Sequence, residues 1–248
     1  MALPLNLALL SAGVLGFRHG FDYDHIAAIS DITSVQDSAP RAMRLGLLYA
    51  LGHAVTVALL GSVVILFQLS LPSGVDRVAE LLVGITLIVL AGYVLACIVL
   101  KRHSHGGRSR ILLLIAGGRW LLWRIERWRN PQLARPTSFN WNYDRKSIFA
   151  VGVIHGLGAE TPTQLLVFLL AANLGGVGKG FLGLSMFIAG LLLMNTLMTA
   201  GAAGLFQVGT MRPWLQRTLM GVTAAYSLVI GVVLVLGGAS MLRALGGG

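Results

Sequence analysis

The side chains of this 248-residue chain that could do chemistry are its six histidines and nine acidic residues, and they are concentrated in a few places. Residues 19–31, HGFDYDHIAAISD, hold three of the acids and two of the histidines. Imidazole suits Ni, Co, Zn, Cu and Fe, while carboxylates offset charge and also serve harder ions. The sequence therefore predicts a site for a divalent cation. Its candidate ligands are His19, Asp22, Asp24, His25, His53, His155, Glu160 and Asn195.

The spacing of the first ligands constrains the helix that carries them. On an ideal helix, His19, Asp22 and His25 fall within an arc of about 120°, whereas Asp24 points away from the first two. Either the helix unwinds around Gly20, as in transporter helices broken at a cavity, or Asp24 faces a different helix. Thiolates are absent from this set, which argues against a soft Cu(I) site.

Composition places these ligands in a membrane. The chain is 56% hydrophobic and 11% charged, against roughly 25% charged in a soluble domain. The formal charge of +10 would suggest a nucleic-acid partner in a soluble protein, but most of the excess lies between residues 101 and 146, beside long apolar runs. We therefore expect a basic loop at the membrane and no nucleic-acid binding. Ionisable side chains inside a span are costly, so each one is a functional candidate.

The sequence predicts an all-α integral membrane protein, since a span needs about 20 apolar residues. The six predicted spans are 4–30, 44–70, 77–100, 147–172, 180–207 and 214–242. They predict a first membrane half at 1–100, a basic cytoplasmic loop at 101–146 and a second membrane half at 147–248. Fifteen Lys and Arg lie on one side of these spans and three on the other. The positive-inside rule then predicts both termini outside the cytoplasm, in a multi-pass protein of the cytoplasmic membrane.

Two segments outside the spans need a separate interpretation. The first 17 residues have no preceding Lys or Arg and no clear cleavage site, so we expect them to belong to the mature protein. Residues 110–129 gather arginines on one arc and Leu, Ile and Trp roughly opposite, which predicts an interfacial amphipathic helix. A short hydrophobic hairpin is the alternative there. His103 and His105 in this loop could pass a metal ion along or be plain loop residues.

A short repeat relates the two halves. His19-Gly20 is followed, five residues after the histidine, by Asp24, and His155-Gly156 is followed in the same way by Glu160. Equivalent positions of the two copies are 136 residues apart. Because each half has three predicted spans, the halves must cross the membrane in opposite directions, as in transporters with inverted repeats. A rise of about 1.5 Å per residue also places His19, His53, His155 and Asn195 in one layer of the membrane.

The same residues resemble the nickel/cobalt transporter family. Residues 19–25, HGFDYDH, resemble its H-x4-D-H signature, and 51–53 resemble its L-G-H-S element. Residues 156–164, GLGAETPTQ, resemble its G-L-G-F-D-T-A-T-E element, and 187–196 are similar to its F-x-A-G-M-x-L-x-D-T segment. The resemblance implies secondary transport of Ni²⁺ or Co²⁺ across the membrane, with His19, Asp24 and His25 central to metal recognition.

The chain departs from that family at several positions. Asn195 and Glu160 stand where the family has aspartate, Gln164 where it has glutamate and Ala54 where it has serine. The family also has eight spans where this chain has six predicted ones. Loss of two carboxylates changes the charge of the pathway, so other divalent transition metals remain candidates as substrate.

The residues exclude some alternatives and leave others open. No phosphate-binding loop is present, and His155 and Glu160 do not form H-E-x-x-H, so we expect a transporter with no tightly bound cofactor and no catalytic residues. A proton-coupled transporter of an anion or small solute and a membrane haem or metal-binding protein remain alternatives. Cys97 has no second cysteine with which to form an intrachain disulfide. The partners expected are the metal ion and the lipid bilayer; the oligomeric state is left open.

Overall fold

The computed structural model describes residues 5–67, 73–99, 145–158, 176–210 and 212–238, and within these ranges it is all helical. The all-α fold class is therefore confirmed. The seven helices of the described residues are α1 (Leu5–His19), α2 (Tyr23–Ser34), α3 (Ala39–Phe67), α4 (Ser73–Val99), α5 (Arg145–Gly158), α6 (Val177–Thr210) and α7 (Pro213–Val235).

Four of these helices are long and apolar enough to cross a membrane. They are Ala39–Phe67, Arg77–Val99, Val177–Gly209 and Pro213–Val235, which correspond to the predicted spans two, three, five and six. The predicted fourth span is described only as far as Gly158. The protein is a multi-pass membrane protein, and six spans remains a prediction.

The first predicted span is two helices rather than one. α1 ends at His19, and the chain turns through Gly20 before α2 begins at Tyr23. The amides of Phe21 and Asp22 bond to the carbonyls of Arg18 and His19 at 2.9 and 3.0 Å, so the turn satisfies its own backbone. Of the two predicted alternatives, the break at Gly20 is confirmed. Because of this break, side chains of α1 and of α2 can each point toward the centre of the protein.

Close glycine contacts join helices of the first predicted half to helices of the second. α1 contacts α6, and α3 contacts α5. In each contact a glycine lies directly on the facing backbone, and the residues that the two glycines meet are 136 positions apart in the sequence. The sets are Gly190 on Gly13 and Phe17, and Gly52 on Phe149 and Val153. The same pairing recurs with first and second helices exchanged between the predicted halves, a pattern that inverted repeats also have. The 3+3 inverted repeat stays a prediction.

The relative directions of the helices agree with this arrangement. Gly13 packs on α6 near Gly190, and Gly20 packs farther along it near Met194, so α1 and α6 run in the same direction. α4 and α7 run in opposite directions, because Gly84 of α4 meets Val235 of α7 whereas Gly231, earlier on α7, meets Ile88, later on α4. Six alternating spans require these directions.

The helices bury a polar centre and expose an apolar exterior. Leu10, Leu59 and Val222 are each 60% exposed or more, as expected for side chains facing lipid. Histidines, Asp24, Asp31 and Asn195 are buried instead. The predicted interfacial helix, His103, His105 and Glu160 lie outside the described residues.

Candidate metal site

Three histidines from three different helices meet in the centre of the protein. His19 is the last residue of α1, His25 lies in the first turn of α2, and His53 lies in the middle of α3. His25 and His53 are fully buried, and His19 is 4% exposed. One ligand nitrogen from each ring lies within 4.8 Å of the other two. The structure thus brings together three of the eight predicted ligands as one cluster of nitrogen donors.

The break at Gly20 and the glycine contacts explain why the rings meet. A Cβ at Gly20 would collide with Met194 on α6, so the turn can lie against that helix only with glycine there. Gly52, beside His53, likewise lets α3 approach α5. Close approach of backbones through small residues is the usual way in which membrane helices pack.

His19 is oriented by a carboxylate and points its other nitrogen at His53. Its Nδ1–H donates to Asp22 Oδ2 across 2.7 Å, and this fixes the lone pair on Nε2. That Nε2 lies 3.3 Å from Nε2 of His53. A histidine whose far nitrogen is held by a carboxylate is the usual arrangement of a metal-binding imidazole. His53 must then carry its proton on Nε2 in this hydrogen bond, leaving Nδ1 without a partner.

His25 is oriented by Asn195 of α6. The ring Nδ1–H donates to Asn195 Oδ1 at 3.3 Å, so the lone pair lies on Nε2. That atom is buried and has no hydrogen-bond partner, and Oδ2 of Asp24 lies 3.9 Å from it. Asn195 therefore lies behind a candidate ligand rather than among the nitrogens themselves. An orphaned imidazole lone pair in a buried polar cluster is what a cation would satisfy.

Two carboxylates give this cluster its negative charge. Asp24 lies in the first turn of α2, where the helix dipole favours an anion, and it is 8% exposed. Asp22 occupies the N-cap position of α2, yet its side chain makes no capping bond and turns to His19 instead. Its side chain is 42% exposed. With neutral imidazoles, the two carboxylates balance the charge of one divalent ion.

The separations in the cluster suit a transition metal after small adjustments. A Zn–N bond of about 2.1 Å places tetrahedral nitrogens about 3.4 Å apart and opposing nitrogens at most about 4.2 Å apart. The 3.3 Å between His19 and His53 already has this value. The outer limit of 4.8 Å for the set needs ring shifts of several tenths of an ångström.

His155 lies apart from this cluster and has partners of its own. The Tyr49 hydroxyl is 3.0 Å from its Nδ1, and the Thr86 hydroxyl is 2.7 Å from its Nε2. The Tyr49 ring stands between the two groups, with centroids 6.1 Å from His25 and 5.5 Å from His155. The structure therefore does not bring His155 into the three-histidine cluster, and Glu160 is outside the described residues.

The sequence did not predict Tyr49 and Phe187 as neighbours of the cluster, or Thr86 as a partner of His155. Phe187 stacks on His19 at a centroid distance of 5.8 Å, as Tyr49 packs on His155. Tyr49 precedes His53 by one helical turn, which is a signal that could have identified it. Nothing in the sequence around Thr86 distinguishes it from other threonines in apolar helices.

Curated proteins related to this chain support the resemblance of its motifs. It is 25% identical over 256 aligned positions to the high-affinity nickel transport protein of Cupriavidus necator, covering 94% of this chain and 70% of that protein. The cobalt transport protein NhlF of Rhodococcus rhodochrous is 28% identical over 77% of this chain. The chain is thus similar over most of its length to proteins named as nickel and cobalt transporters. No family model and no solved structure matches it.

The relatives that this chain resembles differ in length. The alignment with NhlF covers 54% of that protein, so the chain spans about half the length of that relative. The urease accessory protein UreH of Bacillus sp. is 25% identical over 91% of this chain and 90% of its own length. This chain therefore aligns nearly end to end with a relative of similar length.

Proposed function

We propose that the protein is a secondary transporter of a divalent transition-metal cation, Ni²⁺ or Co²⁺, through the cluster of His19, His25 and His53. The observation that carries this proposal is the buried meeting of three imidazoles, in which Nε2 of His25 and Nδ1 of His53 have no partner. Relatives named as nickel and cobalt transporters favour it over transport of an anion and over a haem protein.

The donor set supports a borderline divalent ion. Imidazole nitrogens bind Ni²⁺, Co²⁺ and Zn²⁺ well, whereas Mg²⁺ and Ca²⁺ prefer oxygen ligands. Asp22 and Asp24 compensate two positive charges, and the one cysteine, Cys97, lies on α4 rather than in the cluster. Asn195 orients His25, and we propose it as a supporting residue. His155 and Glu160 are proposed to act on the same pathway from the second half.

The pathway we propose follows the broken helix. Asp22 is half-exposed and bonded to His19, so it can receive a cation and pass it to the buried nitrogens. The ion then displaces the hydrogen bond between His19 and His53, and the single ring proton of His53 moves from Nε2 to Nδ1, so that Nε2 presents its lone pair to the ion. Movement of the halves 1–100 and 147–248 about their shared glycine contacts would open the cluster to either side.

We further propose a location in the cytoplasmic membrane with both termini outside and the loop 101–146 inside. In this orientation a divalent ion gains about 4.6 kcal/mol per 100 mV on entering a negative interior. Uptake could run on that potential without ATP.

The test measures transport of radioactive nickel or cobalt into proteoliposomes that contain the purified full chain under an imposed membrane potential. His19→Ala, His25→Ala and His53→Ala are each expected to reduce uptake at least tenfold, because each removes a ligand nitrogen. His103→Ala, in the loop 101–146, is the matched histidine control and is expected to retain uptake. Unchanged uptake in the His19 and His25 variants would refute the proposal.

A further inference from the structure

A second buried polar group lies on α2, away from the histidine cluster. Asp31 is fully buried, and neither oxygen of its carboxylate makes a hydrogen bond. Ser227 and Thr223 of α7 face it. Ser227 is also fully buried, and its hydroxyl has no hydrogen-bond partner. Two unsatisfied polar side chains that face each other across a helix contact indicate a place where a proton or a cation binds and leaves.

A carboxylate anion is unfavourable in this position. An unpaired charge in a membrane interior costs several kcal/mol unless a proton or a cation neutralises it. Asp31 lies in the last turn of α2, where the helix dipole disfavours negative charge. Thr223 donates its hydroxyl proton to the Met220 carbonyl at 3.1 Å, so it presents lone pairs to Asp31. The group is complementary to a positive charge or to an O–H.

The surroundings favour a proton over a metal ion. Mg²⁺ and Ca²⁺ need six or more oxygen ligands, but the nearby carbonyls are already acceptors. Side chains of α2 and its C-terminus bond to them, namely Thr33 to Ile29 and Ser30, Ser34 to Asp31, and Gln36 to Ile32. In the described part of the chain, Ser227 and Thr223 are the groups that interact with the Asp31 side chain, and no charged residue of α3, α4 or α6 does.

We propose that Asp31 is a proton-binding site that couples metal transport to proton movement, an inference that rests on the proposed function. The proton enters from water on one side, binds a carboxylate oxygen and forms an O–H that donates to Ser227. It leaves to water on the other side, and only this O–H bond forms and breaks. Asp31 lies six residues after His25 on the same helix, about 9 Å along it. A change in how α2 packs on α7 therefore reaches the metal ligand.

The test compares metal accumulation in proteoliposomes with and without a pH gradient at a fixed membrane potential. With one proton per metal ion, a gradient of one pH unit should change the steady-state accumulation of nickel about tenfold. Asp31→Asn should lose this response and retain exchange of labelled for unlabelled nickel at equal pH. The matched control is Asp37→Asn, whose carboxylate is 88% exposed and pairs with Arg41 at 3.9 Å, and it should respond as the wild type does.

Several results would overturn the coupling. They are a tenfold response that survives in Asp31→Asn, a wild-type protein that ignores the pH gradient, and a response to a sodium gradient in place of the pH gradient. Absence of any nickel flux in the wild type would instead refute the proposed function itself.

A second measurement covers the case in which Asp31→Asn fails to fold. Infrared difference spectra of the purified wild type, recorded on raising the pH, should show the loss of a protonated carboxylic acid band. Ser227→Ala should shift that band, because it removes the acceptor of the Asp31 O–H. A wild-type spectrum without such a band would overturn the proposal.

Discussion

Replacement of Asn195 by leucine tests whether Asn195, which is not itself among the ligand nitrogens, orients the candidate ligand His25. Asn195 accepts the Nδ1–H of His25 at 3.3 Å, and this bond leaves the lone pair on Nε2. Without the amide, the buried N–H loses its acceptor at a cost of about 1–3 kcal/mol. The ring then turns or changes tautomer. Loss of such a supporting partner costs about 10- to 100-fold in metal affinity, and we expect nickel binding to weaken by that factor.

The assay is equilibrium binding of radioactive nickel to the purified protein in detergent. Thr196→Val is the matched control, because Thr196 is adjacent on α6 and donates only within its own helix, to the Leu192 carbonyl. It should bind nickel as the wild type does. Equal affinities in Asn195→Leu and the wild type would refute the reasoning that Asn195 fixes the His25 lone pair.

Asn195→Asp should act in the opposite direction. A carboxylate accepts the His25 proton in a charge-assisted bond, which is roughly twice as strong as a neutral one, and it adds a negative charge near the cation. The desolvation of that charge opposes the gain. We expect about tenfold tighter nickel binding, and weaker binding than in the wild type would contradict the orientation drawn from the structure.

Three further changes probe the scaffold by thermal unfolding in detergent. Gly16→Ala should destabilise the protein by more than 1 kcal/mol, because its Cβ would meet the Phe187 carbonyl. Gly204→Ala, with open space around it, should leave stability unchanged or raise it. Equal effects of the two substitutions would contradict the predicted contact. Tyr49→Phe should cost about 1–3 kcal/mol by leaving Nδ1 of His155 unsatisfied, with nickel affinity retained; a loss of affinity would place His155 among the ligands. Arg77→Leu should cost about 1–3 kcal/mol, because Arg77 donates to two carbonyls at the end of α7; an unchanged melting temperature would show that these bonds contribute nothing.

Much of the fold could be predicted because membrane spans have a strong sequence signal. Apolar length identified α3, α4, α6 and α7, and the ligand angles on an ideal helix offered a break at Gly20 as one of two alternatives, which is the one the structure has. The pairing of glycines across halves could not be predicted. A glycine that meets a backbone and one that meets open space, such as Gly52 and Gly204, look alike in the sequence.

The site could be predicted as a set of residues but not as an arrangement. The motif around His19 and His25, with His53, supplied the three imidazoles that meet. Depth in the membrane alone also placed His155 with them, because depth does not define which face of a helix a side chain occupies. The structure instead bonds His155 to Tyr49 and Thr86.

The two halves therefore share a scaffold and differ in chemistry. His19 and His155 occupy equivalent positions, each against an aromatic ring, Phe187 and Tyr49 respectively. Phenylalanine offers His19 no hydroxyl, and the Nε2 of His19 turns to another imidazole. Tyrosine and Thr86 satisfy both nitrogens of His155. Two hydroxyls thus commit His155 to the protein, whereas Nε2 of His19 is directed at the histidine cluster, so that equivalent positions in the two predicted halves differ in chemistry.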